Sequence, residues 1–156
     1  MSATNLFDLS GQVALVTGAS SGLGVRFAQV LAEAGAAVAL VARRADRLTA
    51  VKGEIEKAGG RAVAIAADVT DRDAITRAFD AAERAFGTVT VLVNSAGVVT
   101  SGRAVDVTEE EWRRVIGTNL DAGFFAAQEA ARRLPPRYQQ AFRATPRRLA
   151  ELRSQI

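Results

Sequence analysis

Apolar runs and stretches of helical periodicity alternate along this chain, and their order predicts its architecture. Val13 to Thr17 is a short apolar run closed by Gly18, and Ala37 to Ala42 is apolar at every position. Ala62 to Ala67 and Thr88 to Val93 supply two further runs. Between them, apolar residues recur three and four positions apart, the spacing that lines one face of a helix. Leu23, Phe27, Val30, Leu31 and Ala34 form one such set, stopped by Gly35, and Leu48, Val51 and Ile55 form the next, stopped by Gly59-Gly60. Ile75, Ala78, Phe79, Ala82 and Phe86 form a third, with Thr70 as its candidate cap. Strands that are apolar throughout, rather than at alternate positions, are buried on both faces and need helices above and below a parallel sheet. The pattern therefore predicts an α/β protein with a Rossmann-like doubly wound parallel sheet.

Thr108 followed by Glu111 has the spacing of a capping box, opening a long helical region that carries Trp112, Val115, Ile116, Leu120, Phe124 and Phe125. Pro135 is expected to end it near Leu134. Beyond that point the composition changes. Residues 135–156 hold all three prolines, the only tyrosine (Tyr138), none of the 13 glycines, and five arginines against Glu151 alone. Leu149, Leu152 and Ile156 could line a basic helix there, but a solvated basic Pro/Arg-rich tail is the expectation. The net charge of +3 belongs to this segment, because residues 1–134 carry 15 Lys/Arg against 16 Asp/Glu. No nucleic-acid partner is expected from a charge so placed.

At 156 residues and 49% apolar content, the chain fits one domain with a packed core. No run approaches the roughly 18 apolar residues of a membrane span, and Met1 to Asn5 lacks a signal-peptide layout, so a cytoplasmic protein without membrane contact is expected. The sequence has no Cys and no His. Thiolate nucleophiles, imidazole bases and most zinc chemistry are thereby excluded, and no metal site is expected.

The chemistry that remains concentrates at the ends of the apolar runs. Thr17-Gly18-Ala19-Ser20-Ser21-Gly22-Leu23-Gly24 joins the first strand to the first helix. Glycines there permit close backbone approach, and the helix that follows offers unpaired N–H groups and a partial positive charge to an anion. The Gly-x-x-x-Gly-x-Gly spacing lacks the lysine of an ATP-binding P-loop, which disfavours an ATPase. Arg43-Arg44 ends the second strand, Asp68-Val69 the third, and Asn94-Ser95-Ala96-Gly97 the fourth. All four features fall at carboxyl ends of strands, where an open parallel sheet binds its ligands.

From Leu6 to Leu134 these motifs together resemble the short-chain dehydrogenase/reductase family, whose marks are Thr-Gly-x-x-x-Gly-x-Gly, an Asp-Val pair and Asn-Asn-Ala-Gly. Here the last reads Asn-Ser-Ala-Gly, and Ser95 is expected to loosen the site locally without abolishing binding. The resemblance implies strand order 3-2-1-4 and a nicotinamide dinucleotide. It puts Gly18, Ser20, Ser21, Gly22, Leu23 and Gly24 around the pyrophosphate and adjacent ribose, Asp68 and Val69 at the adenine, and Asn94, Ala96 and Gly97 beside the nicotinamide-side ribose. NADP is favoured over NAD, because Ala42 stands where NAD-preferring relatives carry an acid for the ribose 2′-hydroxyl, and Arg43 and Arg44 follow at once.

The resemblance also implies carbonyl reduction or alcohol oxidation by a tyrosine, a lysine four residues later, a serine and an asparagine. Asn119, in Gly117-Thr118-Asn119-Leu120, matches the asparagine; as a plain helix residue it would be a kinking polar group with a buried hydrogen bond. No Tyr-x-x-x-Lys is present: Tyr138 is followed by Phe142, and the lysines are Lys52 and Lys57. A truncated NADP-binding oxidoreductase fragment of little or no activity is therefore expected, with an unrelated ending after Leu134. The alternative is a non-catalytic nucleotide-binding or interaction module. A homo-oligomer or a full-length relative is the expected partner, through the Trp112 and Phe124 helix or through an apolar edge strand at Thr88 to Val93. A competent reductase using Arg137 or Tyr138 and a Rossmann-type methyltransferase are both disfavoured.

Overall fold

The computed structural model describes residues 7–135; the readings that rest on Arg137, Tyr138 and the rest of the basic segment lie outside the described residues. Among the described residues, strands β1 (Val13–Thr17), β2 (Ala37–Ala42), β3 (Arg61–Ala66) and β4 (Val91–Val93) form one parallel sheet in the order β3-β2-β1-β4. Helices α1 (Gly22–Glu33), α2 (Ala45–Lys57) and α3 (Arg72–Phe86) connect them. After β4 come α4 (Glu109–Ile116), a π-helical turn over Gly117–Asp121, and α5 (Ala122–Arg133). The architecture and strand order match the expectation.

Alternate residues of the central strands feed two cores, one on each side of the sheet. Ala14, Val16, Val38, Leu40 and Ala42 pack with Ala28 of α1 and Leu48, Val51 and Ile55 of α2. Val13, Leu15, Ala39 and Val41 pack with Ile75, Ala78, Phe79 and Ala82 of α3 and Ala126 of α5. Every residue of β1 and β2 is buried, which is why their sequences show no polar alternation. Each large side chain removed from water, such as Leu15, Leu40 or Phe79, stabilises the fold by about 1.5–3 kcal/mol. No helix of the described residues is long and apolar enough to cross a membrane.

Several local expectations are corrected. β4 is three residues long, and at its start the Thr90 N–H donates to Val13 O at 2.9 Å while Thr90 Oγ1 accepts from the Val13 N–H at 3.2 Å and donates to Gln12 Oε1 at 2.7 Å. β3 starts at Arg61, paired to Ala37, and ends at Ala66. Asp71, rather than Thr70, caps α3, accepting from Asp73 N and Ala74 N at 2.9 and 3.1 Å, because Thr70 is engaged by the Asp68 carboxylate. Glu111 does complete the capping box with Thr108, and α5 ends at Arg133, ahead of Pro135. In α1 the small residues Gly24 and Ala28 are the buried ones, while Leu23, Phe27 and Val30 stand exposed. Close approach to β1 requires small side chains, so Leu23, Phe27 and Val30 face outward, while Val25 and Leu31 pack partly buried against the core.

Candidate functional site

The glycine loop between β1 and α1 is packed tightly on its inner side and open on its outer side. Gly18 has φ +69°, and a Cβ there would stand 2.8 Å from Ala96 N and Cα. A Cβ on Gly24 would stand 2.3 Å from the Gly18 carbonyl oxygen, so only glycine lets the first turn of α1 sit against the loop. The outer side of Gly22 meets nothing within 4 Å. That open side exposes the amides at the start of α1, and Ser21, the residue before the helix, makes no side-chain cap to them. A negatively charged group suits such a helix end on electrostatic grounds.

The Ser20 and Ser21 hydroxyls are held elsewhere. Arg44, at the end of β2, donates through Nη2 to Ser20 Oγ at 3.1 Å and to Ser21 Oγ at 2.9 Å. Arg43 beside it is exposed and lies 4.0 Å from Asp68 Oδ2. Asp68 accepts from the Thr70 N–H and hydroxyl at 2.9 and 2.8 Å. Those bonds, helped by Arg43, hold the Asp68 carboxyl below its ordinary range, so it is ionised at neutral pH. Leu23 is exposed at the mouth of the loop, and Val69 is half-buried against the α3 core.

The segment after β4 is pinned to the same end of the sheet by side chains. Thr17 Oγ1, nearly inaccessible at the end of β1, accepts from Ser95 N at 3.1 Å and from Ala96 N at 3.2 Å. Asn94 Nδ2 donates to the Gly123 carbonyl at 3.1 Å, tying the segment to α5. The Asn119 amide brackets one residue: its Oδ1 accepts from Val98 N at 2.8 Å and its Nδ2 donates to Val98 O at 2.9 Å. Asn119 sits in the π turn rather than in a plain α-helix, and its bonds are exposed, not buried as expected of a kinking residue. Thr17, Val69, Asn94, Ala96, Thr118, Asn119, Ala122 and Gly123 line a cleft of about 30 Å³ at this junction. A groove of about 280 Å³ lies between the C-terminal halves of α1 and α2, remote from these residues, so size alone does not pick out the site.

The fold thus brings the glycine loop, Arg43, Arg44, Asp68, Val69 and Asn94 to Gly97 to the carboxyl ends of four adjacent strands, with Asn119 joined to them from the π turn through Val98. Thr17 was missed as a site residue although it precedes Gly18 in the motif; a buried hydroxyl at a strand end is the signal that could have found it. Gly123 has no local signal, because its role is defined by Asn94, far away in sequence.

The short chain dehydrogenase sequence profile matches residues 12–141. The chain belongs to the short-chain dehydrogenase/reductase family. It is 39% identical over 137 residues to gluconate 5-dehydrogenase of Gluconobacter oxydans, covering 88% of this chain and 54% of that protein. It is 38% identical to the NADP-dependent (R)-specific alcohol dehydrogenase of Lentilactobacillus kefiri, covering 81% of this chain and 50% of that one. The crystal structure of a short-chain type dehydrogenase/reductase from Mycobacterium marinum superposes with a TM-score of 0.82 at 43% identity, covering 85% of this chain and 54% of the other. This family member therefore spans about half the length of the curated relatives it matches.

Proposed function

We propose that this chain is the NADP(H)-binding part of a short-chain oxidoreductase and that, by itself, it binds the dinucleotide without sustaining turnover. The observation that carries the reading is the juxtaposition of an uncapped, glycine-packed helix start with two arginines at the end of β2. Residues 6–134 form the dinucleotide-binding unit in this reading, with 135–156 as a basic segment, although the family match itself runs to residue 141. A cytoplasmic setting belongs to the same proposal.

Gly18, Ser20, Ser21, Gly22, Leu23 and Gly24 receive the diphosphate and adjacent ribose, using backbone N–H groups of α1 and the two hydroxyls. Asp68 and Val69 flank the adenine; the ionised carboxylate accepts hydrogen bonds there, and Val69 offers an apolar wall. Asn94, Ala96 and Gly97 border the nicotinamide-side ribose, and Asn119 braces them through Val98. When bound, the reduced cofactor supplies hydride to a carbonyl of a substrate. The Tyr-x-x-x-Lys pair that would serve proton transfer to that carbonyl is absent from the sequence, which is why no sustained turnover is proposed.

NADP over NAD is supported by Ala42, which offers no carboxylate to a 2′-hydroxyl or against a 2′-phosphate, and by the exposed Arg43 guanidinium. The NADP dependence in the name of the Lentilactobacillus relative agrees with it. Titration of 2′,5′-ADP and 5′-AMP tests the assignment. A charge-assisted bond of about 1.5–3 kcal/mol makes the first bind roughly 10- to 100-fold more tightly, and Arg43→Ala removes most of that difference. Equal affinities refute it. With NADPH and a panel of carbonyls, rates near an ordinary kcat of about 1–1000 per second, lost in Asn119→Ala, would refute the catalytic part.

A second copy or a full-length relative is the proposed partner. Trp112, Leu120 and Phe124 are each about three-fifths exposed on α4, the π turn and α5, and β4 is an open edge with half-exposed valines. Apolar patches and unpaired strand edges of this kind favour association. Sedimentation at high micromolar concentration giving a compact monomer would remove that part of the proposal.

A further inference from the structure

We infer that Arg44 is a positioning residue for the diphosphate cradle, not a ligand of the 2′-phosphate, an inference that rests on the nucleotide-binding reading above. Its Nη2 reaches both loop serines, at 3.1 Å to Ser20 Oγ and 2.9 Å to Ser21 Oγ. A hydroxyl has two lone pairs and one proton. With a guanidinium N–H on one lone pair, each serine keeps its proton as the group left to donate, and polarisation by the cation makes it a stronger donor. Arg44 thus converts two ambivalent hydroxyls into donors facing an anion.

The second consequence concerns α1. Ser21 holds the N-cap position with extended backbone, φ −166° and ψ 162°, where a serine ordinarily accepts from the N–H two or three residues on. Here it makes no such bond. Its oxygen is turned to Arg44, and the N–H groups of Leu23 and Gly24 are left without that side-chain cap. The loop gives up the stabilisation of a serine cap, and the amides at the helix start stay available to a phosphate. Arg44 itself is at the N-cap position of α2, an unfavourable place for a cation, which its two serine contacts help to offset.

Arg43 and Arg44, adjacent in sequence, then have separable functions. Arg43 points toward Asp68 and is otherwise exposed, so it distinguishes nucleotides with and without a 2′-phosphate. Arg44 acts on the part that NAD and NADP share.

The test measures NADH and NADPH binding to the full chain by calorimetry, for the wild type, Arg43→Ala, Arg44→Ala and Ser20→Ala/Ser21→Ala. Arg44→Ala is expected to weaken both nucleotides about tenfold while leaving their ratio within about twofold of the wild type. The serine double variant should match it, and adding Arg44→Ala to the double variant should cost less than about another twofold, the non-additivity of groups acting as one unit. Arg43→Ala should instead collapse the ratio. Amide hydrogen exchange without nucleotide supplies an independent readout: in Arg44→Ala the freed Ser21 hydroxyl caps α1, and exchange at Leu23 and Gly24 slows. Arg44→Met, which keeps the aliphatic stem, replaces the alanine variant if the latter fails to fold. Loss confined to NADPH, additive losses with the serines, or unchanged exchange at Leu23 and Gly24 would each overturn the role of Arg44 while leaving nucleotide binding intact. A wild-type chain that binds neither nucleotide overturns the nucleotide reading, and this inference with it.

Discussion

Replacing Thr17 with valine removes the bond pair that joins the first strand to the segment after the fourth, together with the longer bond, 3.4 Å, that the hydroxyl donates to Val93 O. Threonine and valine have nearly the same shape, so the change removes an oxygen and leaves the packing in place. Thr17 is about 2% exposed, and its Oγ1 accepts from the N–H groups of Ser95 and Ala96 at 3.1 and 3.2 Å. Leaving a buried donor without its acceptor costs about 1–3 kcal/mol. Ser95 and Ala96 are themselves half-buried, so water meets part of the loss. The lower part of the range is appropriate, about 1–1.5 kcal/mol for each donor and about 2–3 kcal/mol for the two together. With a urea m-value of about 1.5 kcal/mol/M, the unfolding midpoint falls by roughly 1.3–2 M. Thr17→Ser keeps the oxygen and loses a buried methyl worth about 0.8 kcal/mol, and so shifts the midpoint by only about 0.5 M. The measurement is urea unfolding followed by far-UV circular dichroism, at one fixed protein concentration because the chain is expected to associate. Valine tolerated as well as serine, or better, would refute the view that this hydroxyl pins the Asn94–Gly97 segment.

Three further outcomes follow from the structure. Alanine scanning of the glycine loop should give a graded series: Gly24→Ala meets the Gly18 carbonyl at 2.3 Å and costs most, Gly18→Ala meets Ala96 backbone at 2.8 Å, and Gly22→Ala meets only the strain of φ +57°, about 1–2 kcal/mol; thermal melts of the three variants check the order. Arg133→Met should destabilise by about 2–4 kcal/mol, because the guanidinium binds Asp80, Glu83 and Glu129 at 2.7, 2.9 and 2.7 Å and its removal leaves three carboxylates facing one another; calorimetric unfolding gives the value. Stability should fall on acidification below about pH 4, since Asp68 and Glu111 are held below their ordinary values by bonds from Thr70 and Thr108, so the unfolded chain takes up protons first. Their contribution is fully present above those ordinary values and is lost as pH drops through the folded ones. Thr70→Val raises the Asp68 value and should flatten the acid limb, which unfolding midpoints at about pH 6 and about pH 3 would reveal.

Sequence and tertiary structure divide the determination of this protein along a physical line. The bounds of β1 and β2 were legible residue by residue, because strands buried on both faces must be apolar throughout and their ends fall where glycine or arginine begins. The Thr108–Glu111 capping box and the stop before Pro135 were equally legible, since both depend on groups within a turn of each other. That the candidate motifs stand at strand ends was legible from where each apolar run stops, whereas the strand order came from the family resemblance. What neighbours in sequence could not decide is how side chains from different elements meet. The Thr90 hydroxyl joins the start of β4 to Gln12 and Val13, Asp68 draws Thr70 away from the cap of α3, and Arg44 draws Ser21 away from the cap of α1. The π turn that carries Asn119 likewise coincides with the demand of Val98, whose N–H and carbonyl both need the same amide. Periodicity encodes burial, which is a property of one segment against a generic core. A hydroxyl or guanidinium chooses among several partners of similar strength, and only the assembled sheet brings one of them within 3 Å.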